Sequence, residues 1–498
     1  MSGFTRSLSK SKIIAYRQCH KRLWLEVKHP ELKEESKETQ LGFQIGHNVG
    51  EVARHIYDTS GQGILIDVEV EGFDAAFQRS LGLLSAAVSR HPVFEAGCKA
   101  AGGLAFADIL LPLSQGGWRM VEIKSATSLK PYYKDDLAIQ RYVFLQAGID
   151  LKEVALAHID NQWVYKKEKD FQGLFKEVDL TIAVQGMETE VRQWFVEAHQ
   201  IIASDLEPRI DTGPHCSTPY LCGFQNYCNN AQPKPKNPVR WLPQLRSRDV
   251  KVQLEAGYDE MDQMPDEFLN KLQLRVKNCT LNHKPHEDLS NAQKEMANWK
   301  HPLYFLDFET ISASIPIWLG TRPYQQVPFQ YSLHSLDLNG VQSHTECLID
   351  SGNMPADQLA TQLVRDCGSE GSIVTYNAAF ERRCLSLLAD LVPTLSKELV
   401  ALRQRVVDLL PVVRNNYYHP NQKGSWSLKS VLPAMVPEMN YDRLEGVKDG
   451  GMAQNAYTEL LHPHTPKERK QALHRQLITY CQMDTLALLK IWEYLHRH

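Results

Sequence analysis

Asp307 and Glu309 stand in the apolar string Leu-Tyr-Phe-Leu-Asp-Phe-Glu-Thr at 303–310, and Tyr480 precedes Asp484 by four positions near the other end of the same region. Alternate residues of a β-strand share a face, so Asp307 and Glu309 point the same way. Residues four apart on a helix stack, which sets Tyr480 beside Asp484. A fourth acid is supplied by Tyr376-Asn-Ala-Ala-Phe-Glu381, at the head of an expected helix. Carboxylates and a phenol converging on one point can hold two divalent cations. The chemistry such a pair serves is in-line attack of water on a phosphodiester.

A second constellation lies near the N-terminus. Asp108 sits in Phe106-Ala-Asp-Ile-Leu-Leu111, and Glu122 and Lys124 sit in Val121-Glu-Ile-Lys124. If Ser114-Gln-Gly-Gly117 closes a hairpin centred near 115, Asp108 faces Glu122 across the ladder. Opposed side chains share a face, and Lys124 joins them through the period of two. Two opposed carboxylates repel unless a cation bridges them, while a nearby lysine can orient water or steady the phosphorane. An isolated Glu-x-Lys is usually a solvated strand face; here the flanks are apolar and an opposed Asp is present.

Three of the ten cysteines, Cys216, Cys222 and Cys228, are separated by five residues each. Three thiolates need a fourth for a closed site, and Cys19 is the candidate if the two ends of this region meet. Thiolate-only ligation suits a [4Fe–4S] cluster, and zinc in the same cage is chemically possible. The expected role is structural. Cys98, Cys279 and the later cysteines read as small buried hydrophobes.

The elements that must position these residues can be read from periodicity. Ser9 or Ser11 caps a first helix through Ile13, Ile14 and Tyr16, ending near Cys19. Helices follow over 43–57 and 75–89, strands over 104–112 and 118–125, a helix over 137–147, a strand over 154–158 and a helix over 181–204. Gln232-Pro-Lys-Pro-Lys-Asn-Pro238 is an extended, semi-rigid linker. Residues 239–300 are polar, with short helices expected and no nameable chemistry. Beyond them come strands at 303–309, 330–338 and 373–376 and helices at 378–388 and 467–496. A length of 498 residues suggests about three domains. A net charge of −4 gives no global nucleic-acid footprint, so any such groove must be local. No apolar run approaches the roughly 18 residues of a spanning helix, and the N-terminus lacks an apolar signal core. A cytoplasmic protein without a membrane partner is expected.

His47 in Gly46-His47, Asp108, Glu122-Ile-Lys124 and Gln140-Arg-Tyr142 resemble the motif series of the RecB-like branch of the PD-(D/E)xK nucleases. That resemblance implies that His47, Asp108 and Glu122 bind metal, and that Lys124, Gln140 and Tyr142 contact the reacting phosphate and DNA. Glu95 would be an extra carboxylate. The cysteine set resembles the iron–sulfur arrangement of CRISPR-associated and helicase-associated RecB-like exonucleases, where one early cysteine joins three late ones. The C-terminal set resembles the DEDD exonucleases of the DnaQ-like, ribonuclease-H-fold group. Asp307-x-Glu309 stands for their first motif, Asn377-x-x-Phe380-Glu381 for the second and Tyr480-x-x-x-Asp484 for the third. The tyrosine marks the DEDDy branch. The second-motif acid is normally Asp, so Glu381 is one methylene longer; Asp408 is the reserve acid, otherwise a capping residue. The whole is similar to a bacterial family of RecB-like nucleases fused to a ribonuclease-H-like domain, largely of unknown function.

The expected fold is multidomain α/β: a RecB-like nuclease in 1–232, a linker and small helical region in 233–300, and a ribonuclease-H-like DEDDy exonuclease in 301–498. Asp307 and Asp484 would hold the cation that activates water, with Glu309 and Glu381 completing the pair and Tyr480 orienting the water or helping to remove its proton. Asn377, like Gln140 and Tyr142, would contact nucleic acid. The expected function is a DNA nuclease using Mg²⁺ or Mn²⁺ at both sites, exonucleolytic, with internal cutting or 5′ trimming open to the N-terminal site, in repair or defence against foreign DNA. Its partner would be nucleic acid, DNA favoured, single-stranded or at ends. An RNA 3′–5′ exonuclease, and a DNA-end-binding scaffold with silent sites, are the alternatives.

Overall fold

The computed structural model describes residues 6–35, 37–85, 91–230, 235–245, 252–254 and 256–497. The end of the expected helix over 75–89 and part of the expected linker lie outside these residues. The chain divides into two α/β units: Met1–Lys234 with Ser314–Tyr324, and Pro235–Ala313 with Gln325–His498. The region expected to stand apart, 233–300, thus folds with unit 2 from residue 235 on. Unit 1 in turn takes a segment from within the expected C-terminal domain.

Unit 1 begins with β1 (Leu8–Ser9), and the Ser9 hydroxyl caps α1 (Lys10–Gln18) by accepting from Lys12 N. Next come α2 (His20–Lys28), α3 (Lys37–Tyr57), β2 (Ile64–Leu65), α4 (Val68–Glu71) and α5 (Phe73–Ser85). Strands β3 (Val93–Ala100), β4 (Gly103–Pro112) and β5 (Trp118–Lys124) form an antiparallel meander. Gly116 and Gly117, at φ 85° and 82°, make the tight turn before β5 that a side chain would strain. Helix α6 (Tyr133–Gln146) then carries the chain to β6 (Leu151–Ile159), parallel to β5, as a crossover requires. The unit closes with β7 (Phe175–Asp179), α7 (Thr181–Gln185), α8 (Glu188–Ala203) and α9 (Gln225–Asn230).

The sheet order is β2-β3-β4-β5-β6-β7, with β1 alongside β4. One edge of β4 changes partner: Gly103 and Leu104 pair with β1, and residues 109–112 pair with β5. Asp108 stands in the interval between. One core joins Leu8, Ile13, Leu110, Leu137, Phe144 and Phe195. On the other face Ala53 of α3 packs with Phe94, Ile109 and Val121. The segment 314–324 is fastened to this unit. Tyr165 N donates to Thr321 O at 3.0 Å, Gly320 N donates to Tyr165 O at 2.7 Å, and the Tyr324 hydroxyl donates to Ser125 O. Ile315 and Tyr324 pack with Val49, Ile159 and Leu174.

In unit 2, β8 (His286–Glu287) precedes β9 (Leu303–Ile311), β10 (Val327–Leu336), β11 (Gln342–Leu348), β12 (Ser372–Thr375), β13 (Val406–Asp408) and β14 (Tyr417–Tyr418). The main sheet runs β11-β10-β9-β12-β13, antiparallel through β9 and parallel beyond it. One face buries Leu306, Phe308, Tyr331, Leu363, Leu385 and Leu402, drawing on helices Ala356–Cys367, Ala379–Leu391 and Ser396–Arg405. The long helix Lys467–His496 packs on β9 and β10, with Trp492 edge-on to Phe305. The expected short helices of 239–300 include Lys271–Asn282 and Leu289–Met296, and β8 pairs with β14. Among the described residues no helix is long and apolar enough to cross a membrane.

Candidate functional site

The β4–β5 register, Ile109 with Val121 and Leu110 with Met120, continues by one step to set Asp108 opposite Glu122. On its other side Asp108 stands opposite Glu95, between the pairs Phe94–Ile109 and Ala96–Ala107. Three acids therefore form a row across β3, β4 and β5. Strand alternation breaks along that row, since Val93 and Ala96 face the same core, as do Ala107 and Leu110. Glu95 has φ 55°, a left-handed conformation that costs a non-glycine residue on the order of 1–3 kcal/mol. The ladder opens at Asp108, whose Oδ2 accepts Ile123 N at 2.7 Å.

Buried Glu122 is held by three donors. Lys10 Nζ and Lys124 Nζ reach its Oε1 at 2.8 and 3.0 Å, and Gln140 Nε2 reaches its Oε2 at 2.5 Å. Lys124 Nζ also donates to Asp136 Oδ2 at 2.7 Å, and Gln140 Nε2 to Phe106 O at 2.7 Å. Burial pushes the Glu122 carboxyl up, but Lys10 and Lys124 outweigh it and hold the group below the usual range. Burial, then the charges of Glu122 and Glu95, pushes Asp108 up to about 8. Burial also raises Glu95, against the pull of Arg54, Lys10 and His47. His47 itself is exposed on α3. The buried Oε1 of Gln140 has no hydrogen-bond partner among the described residues. A row of oxygen donors beside an orphaned acceptor fits a hard divalent cation.

The two ends of unit 1 meet at the cysteines. Cys19, Cys216, Cys222 and Cys228 line one small pocket, with Lys21 and Arg22 beside them. Gln18 Nε2 draws the late segment in, donating to His215 O at 2.6 Å and Tyr220 O at 2.7 Å. Trp24 and Leu25 pack on Phe224. Gly213 N donates to Cys216 Sγ at 3.5 Å, and Cys222 N to Cys216 O at 2.8 Å. Burial raises the Cys222 and Cys228 thiols; Arg22 and Lys21 respectively pull them down, and the other cage cysteines push them up. Four sulfurs around one cavity, with cations and a backbone N–H turned to them, fit a thiolate-ligated cluster.

In unit 2, Asp307 and Glu309 project from one face of β9 while Phe308 between them enters the core. The helix Lys467–His496 brings Tyr480, Cys481 and Asp484 to them. Asp484 Oδ1 accepts the Tyr441 hydroxyl at 2.6 Å, and Tyr480 also hydrogen-bonds to Asp484. Ligand atoms of Asp307, Glu309 and Cys481 all lie within 4.8 Å of one another. Glu381 is 2% exposed, its charge reaches Asp307, and its buried Oε2 has no hydrogen-bond partner among the described residues.

Burial pushes all four carboxyls up. Asp307 and Glu309 stand well above the usual range, each raised further by Asp484. Glu381 rises to about 8, and Asp484 to about 6 against its two tyrosine hydrogen bonds. Lys429, 5.5 Å over the Tyr480 ring, is the cation whose charge reaches Glu309 and Asp484. Four buried acids facing so little positive charge stay protonated or take up cations. Their oxygens suit Mg²⁺ or Mn²⁺, and the Cys481 thiol adds a softer donor.

Several expectations need correcting. Tyr142 stacks on Phe195 in the core, ring centroids 5.6 Å apart, and does not join Gln140 at Glu122. Two residues along a helix lie on opposite faces, so the pair cannot share a ligand. Asp408, by contrast, takes the capping role expected of it when not a reserve acid: its carboxylate accepts Asn377 N, Ala378 N and Leu410 N at 3.0, 3.1 and 3.0 Å. It thereby supports Asn377 at φ 68° in the turn before the Glu381 helix. Burial and the charge of Asp484 raise the Tyr480 phenol well above its ordinary value. Cys481, read as a simple hydrophobe, shares the acid site; three residues before Asp484, it lies on the same helical face. Lys10, Asp136, Tyr441 and Lys429 were missed. Of these only Asp136, four before Gln140 on α6, had a local signal.

The family model for DUF2779, a domain of unknown function, matches residues 304–427. The match takes in Asp307, Glu309 and Glu381 and ends before Tyr480 and Asp484. No curated protein matches. Among solved structures the chain is similar to the crystal structure of SSO0001, at 12% identity and a TM-score of 0.27, covering 47% of this chain and 90% of that one. The matched family carries no assigned function, so the residues themselves carry the functional reading.

Proposed function

We propose that the protein is a metal-dependent nuclease with two hydrolytic sites, one in each unit, acting on DNA. The observation that carries the reading is the unit 2 cluster, where Asp307, Glu309, Glu381 and Asp484 are buried together with an orphaned carboxylate oxygen. The sheet order of unit 2, three antiparallel strands followed by two parallel ones, supports a ribonuclease-H-like fold and with it a DEDDy exonuclease. In unit 1 the opposed Asp108 and Glu122, with Lys124 two residues on and Gln140 on the next helix, support a RecB-like nuclease.

Mg²⁺ or Mn²⁺ at these acids would supply activation of the attacking water and charge stabilisation at the departing 3′ oxygen. The protein's own groups do the rest. Tyr441 and Tyr480 hold the Asp484 carboxylate in place as hydrogen-bond donors, and Lys429 offers the scissile phosphate a positive charge. In unit 1 Lys124, fixed between Glu122 and Asp136, is placed to steady charge on the phosphate. The cysteine cage suits a [4Fe–4S] cluster; zinc is the other ion its donors accept. A role in repair or in defence against foreign DNA is consistent with two such sites in one chain.

The test is digestion of 5′- and 3′-labelled single- and double-stranded DNA and RNA with Mg²⁺ or Mn²⁺. The parent is run beside Glu122→Ala/Lys124→Ala and Asp307→Ala/Glu309→Ala. Each double substitution is expected to abolish one set of products. A parent that cuts no substrate with either metal overturns the proposal, and RNA cut in preference to DNA reassigns the substrate.

A further inference from the structure

The loop between Cys216 and Cys222 carries Tyr220, which is 38% exposed. Gln18 holds its backbone carbonyl, as described above. Its ring meets Tyr132 edge-on, centroids 5.3 Å apart, and Tyr132 meets Tyr133 edge-on at 4.7 Å. Lys124 Nζ lies 5.1 Å over the Tyr133 ring and 3.0 Å from Glu122. The charges of Asp136 and Lys124 both reach Tyr220. Three rings thus lead from the lysine of the acid row to the cysteine cage. Exposure grows along them: Tyr133 is buried, Tyr132 half-buried and Tyr220 exposed, with exposed Leu129 and Leu221 in the same two loops.

A core cluster would bury its outermost ring; this one turns it outward beside an acid site. Aromatic faces next to a phosphate-cleaving site bind unpaired bases, which a duplex keeps stacked on one another. Lys130 and Lys134 flank the tyrosine pair in sequence and add the positive charge that a strand's backbone needs.

We infer that Tyr132 and Tyr220, backed by Tyr133, form a stacking platform for the bases of a single-stranded DNA end at the unit 1 site, and that the cysteine cage serves to hold Tyr220 in it. The inference rests on the nuclease reading of unit 1 and specifies its substrate.

The experiment uses the full chain carrying Asp307→Ala/Glu309→Ala, so that cleavage reports unit 1, with labelled single-stranded dT20 and a blunt 20-base-pair duplex in Mn²⁺. Adding Tyr220→Leu, which keeps apolar bulk and removes the ring, is expected to raise KM for dT20 about 10-fold with little change in kcat. Tyr220→Phe, which keeps the ring, is expected to recover most of that loss. Visible absorbance and iron content check the cage in each variant; if Tyr220→Leu disturbs them, Tyr132→Leu, outside the cage loop, gives the same reading. An unchanged KM, or an equal rise on the duplex, overturns the platform while leaving the nuclease in place. Absence of any cleavage that Glu122→Gln removes overturns the unit 1 nuclease reading itself.

Discussion

The acid row of unit 1 and the acid cluster of unit 2 use the same side chains and differ in how their charge is met. Glu122 is neutralised within the protein by Lys10 and Lys124, and burial is outweighed. In unit 2 the charge of Lys429 reaches Glu309 and Asp484, and burial wins at all four of Asp307, Glu309, Glu381 and Asp484. A carboxylate paired with lysine is ready at neutral pH and must exchange partners to take a cation. An unpaired cluster must lose protons to do so. Glu122 is therefore limited by competition, whereas Asp108 and Glu95 beside it share with the unit 2 acids a limit set by protonation.

Activity separates the two sites most directly. Glu122→Ala/Lys124→Ala and Asp307→Ala/Glu309→Ala should each remove their own products by on the order of 10³-fold and leave the other's within about threefold, read from labelled-end digestion. Cross-inhibition would mean a single composite activity.

Stability without divalent ions should move in opposite directions. Glu122→Gln takes the carboxylate partner from Lys10 and one of two from Lys124, which keeps Asp136, and should cost unit 1 about 1–3 kcal/mol. Glu309→Gln removes a carboxyl that resists ionising and should stabilise unit 2 by about 1–3 kcal/mol at pH 7, measured by denaturant titration. The same sign for both would erase the distinction drawn between the sites.

Proton linkage distinguishes the sites as well. Raised carboxyls keep their protons in the folded state while the unfolded chain loses them, so metal-free unit 2 should lose stability as pH rises from about 4 to about 8. Added Mn²⁺ should therefore stabilise it more at pH 8 than at pH 6, by about 1 kcal/mol or more. Glu122 behaves oppositely: its contribution is present above the usual carboxylate range and fades as pH falls through its lowered value. Thermal melts over pH with and without Mn²⁺ decide the matter.

The smallest effect is expected at Tyr441. Tyr441→Phe removes one donor to Asp484, so that carboxyl should titrate higher. The acid limb of the unit 2 pH–rate profile should move up by about one pH unit, with little change at the plateau. An unmoved limb would separate Tyr441 from the titration of Asp484.

What was legible in the sequence followed local periodicity. The hairpin turn with its two glycines set Asp108 against Glu122, the strand period put Asp307 with Glu309, and helical spacing set Tyr480 by Asp484. Ser9 announced its helix as a cap. The same rules, applied more strictly, would have separated Tyr142 from Gln140 and added Cys481 to Asp484. Lys10 and Tyr441 were not legible, because each reaches its carboxylate across long stretches of chain, 112 residues for Lys10 and 43 for Tyr441. Glu95 was legible as an acid, but nothing in its local sequence announced its left-handed backbone.

The segment 314–324 decides where the chain can be cut. The chain passes between the units at 234/235, 313/314 and 324/325, so no single cut separates them. A gene fragment ending at residue 232 encodes a unit 1 without Ile315 and Tyr324, leaving Val49, Ile159 and Leu174 short of two packing partners and Ser125 O without its donor. Neither half is one contiguous stretch of chain that can be excised whole.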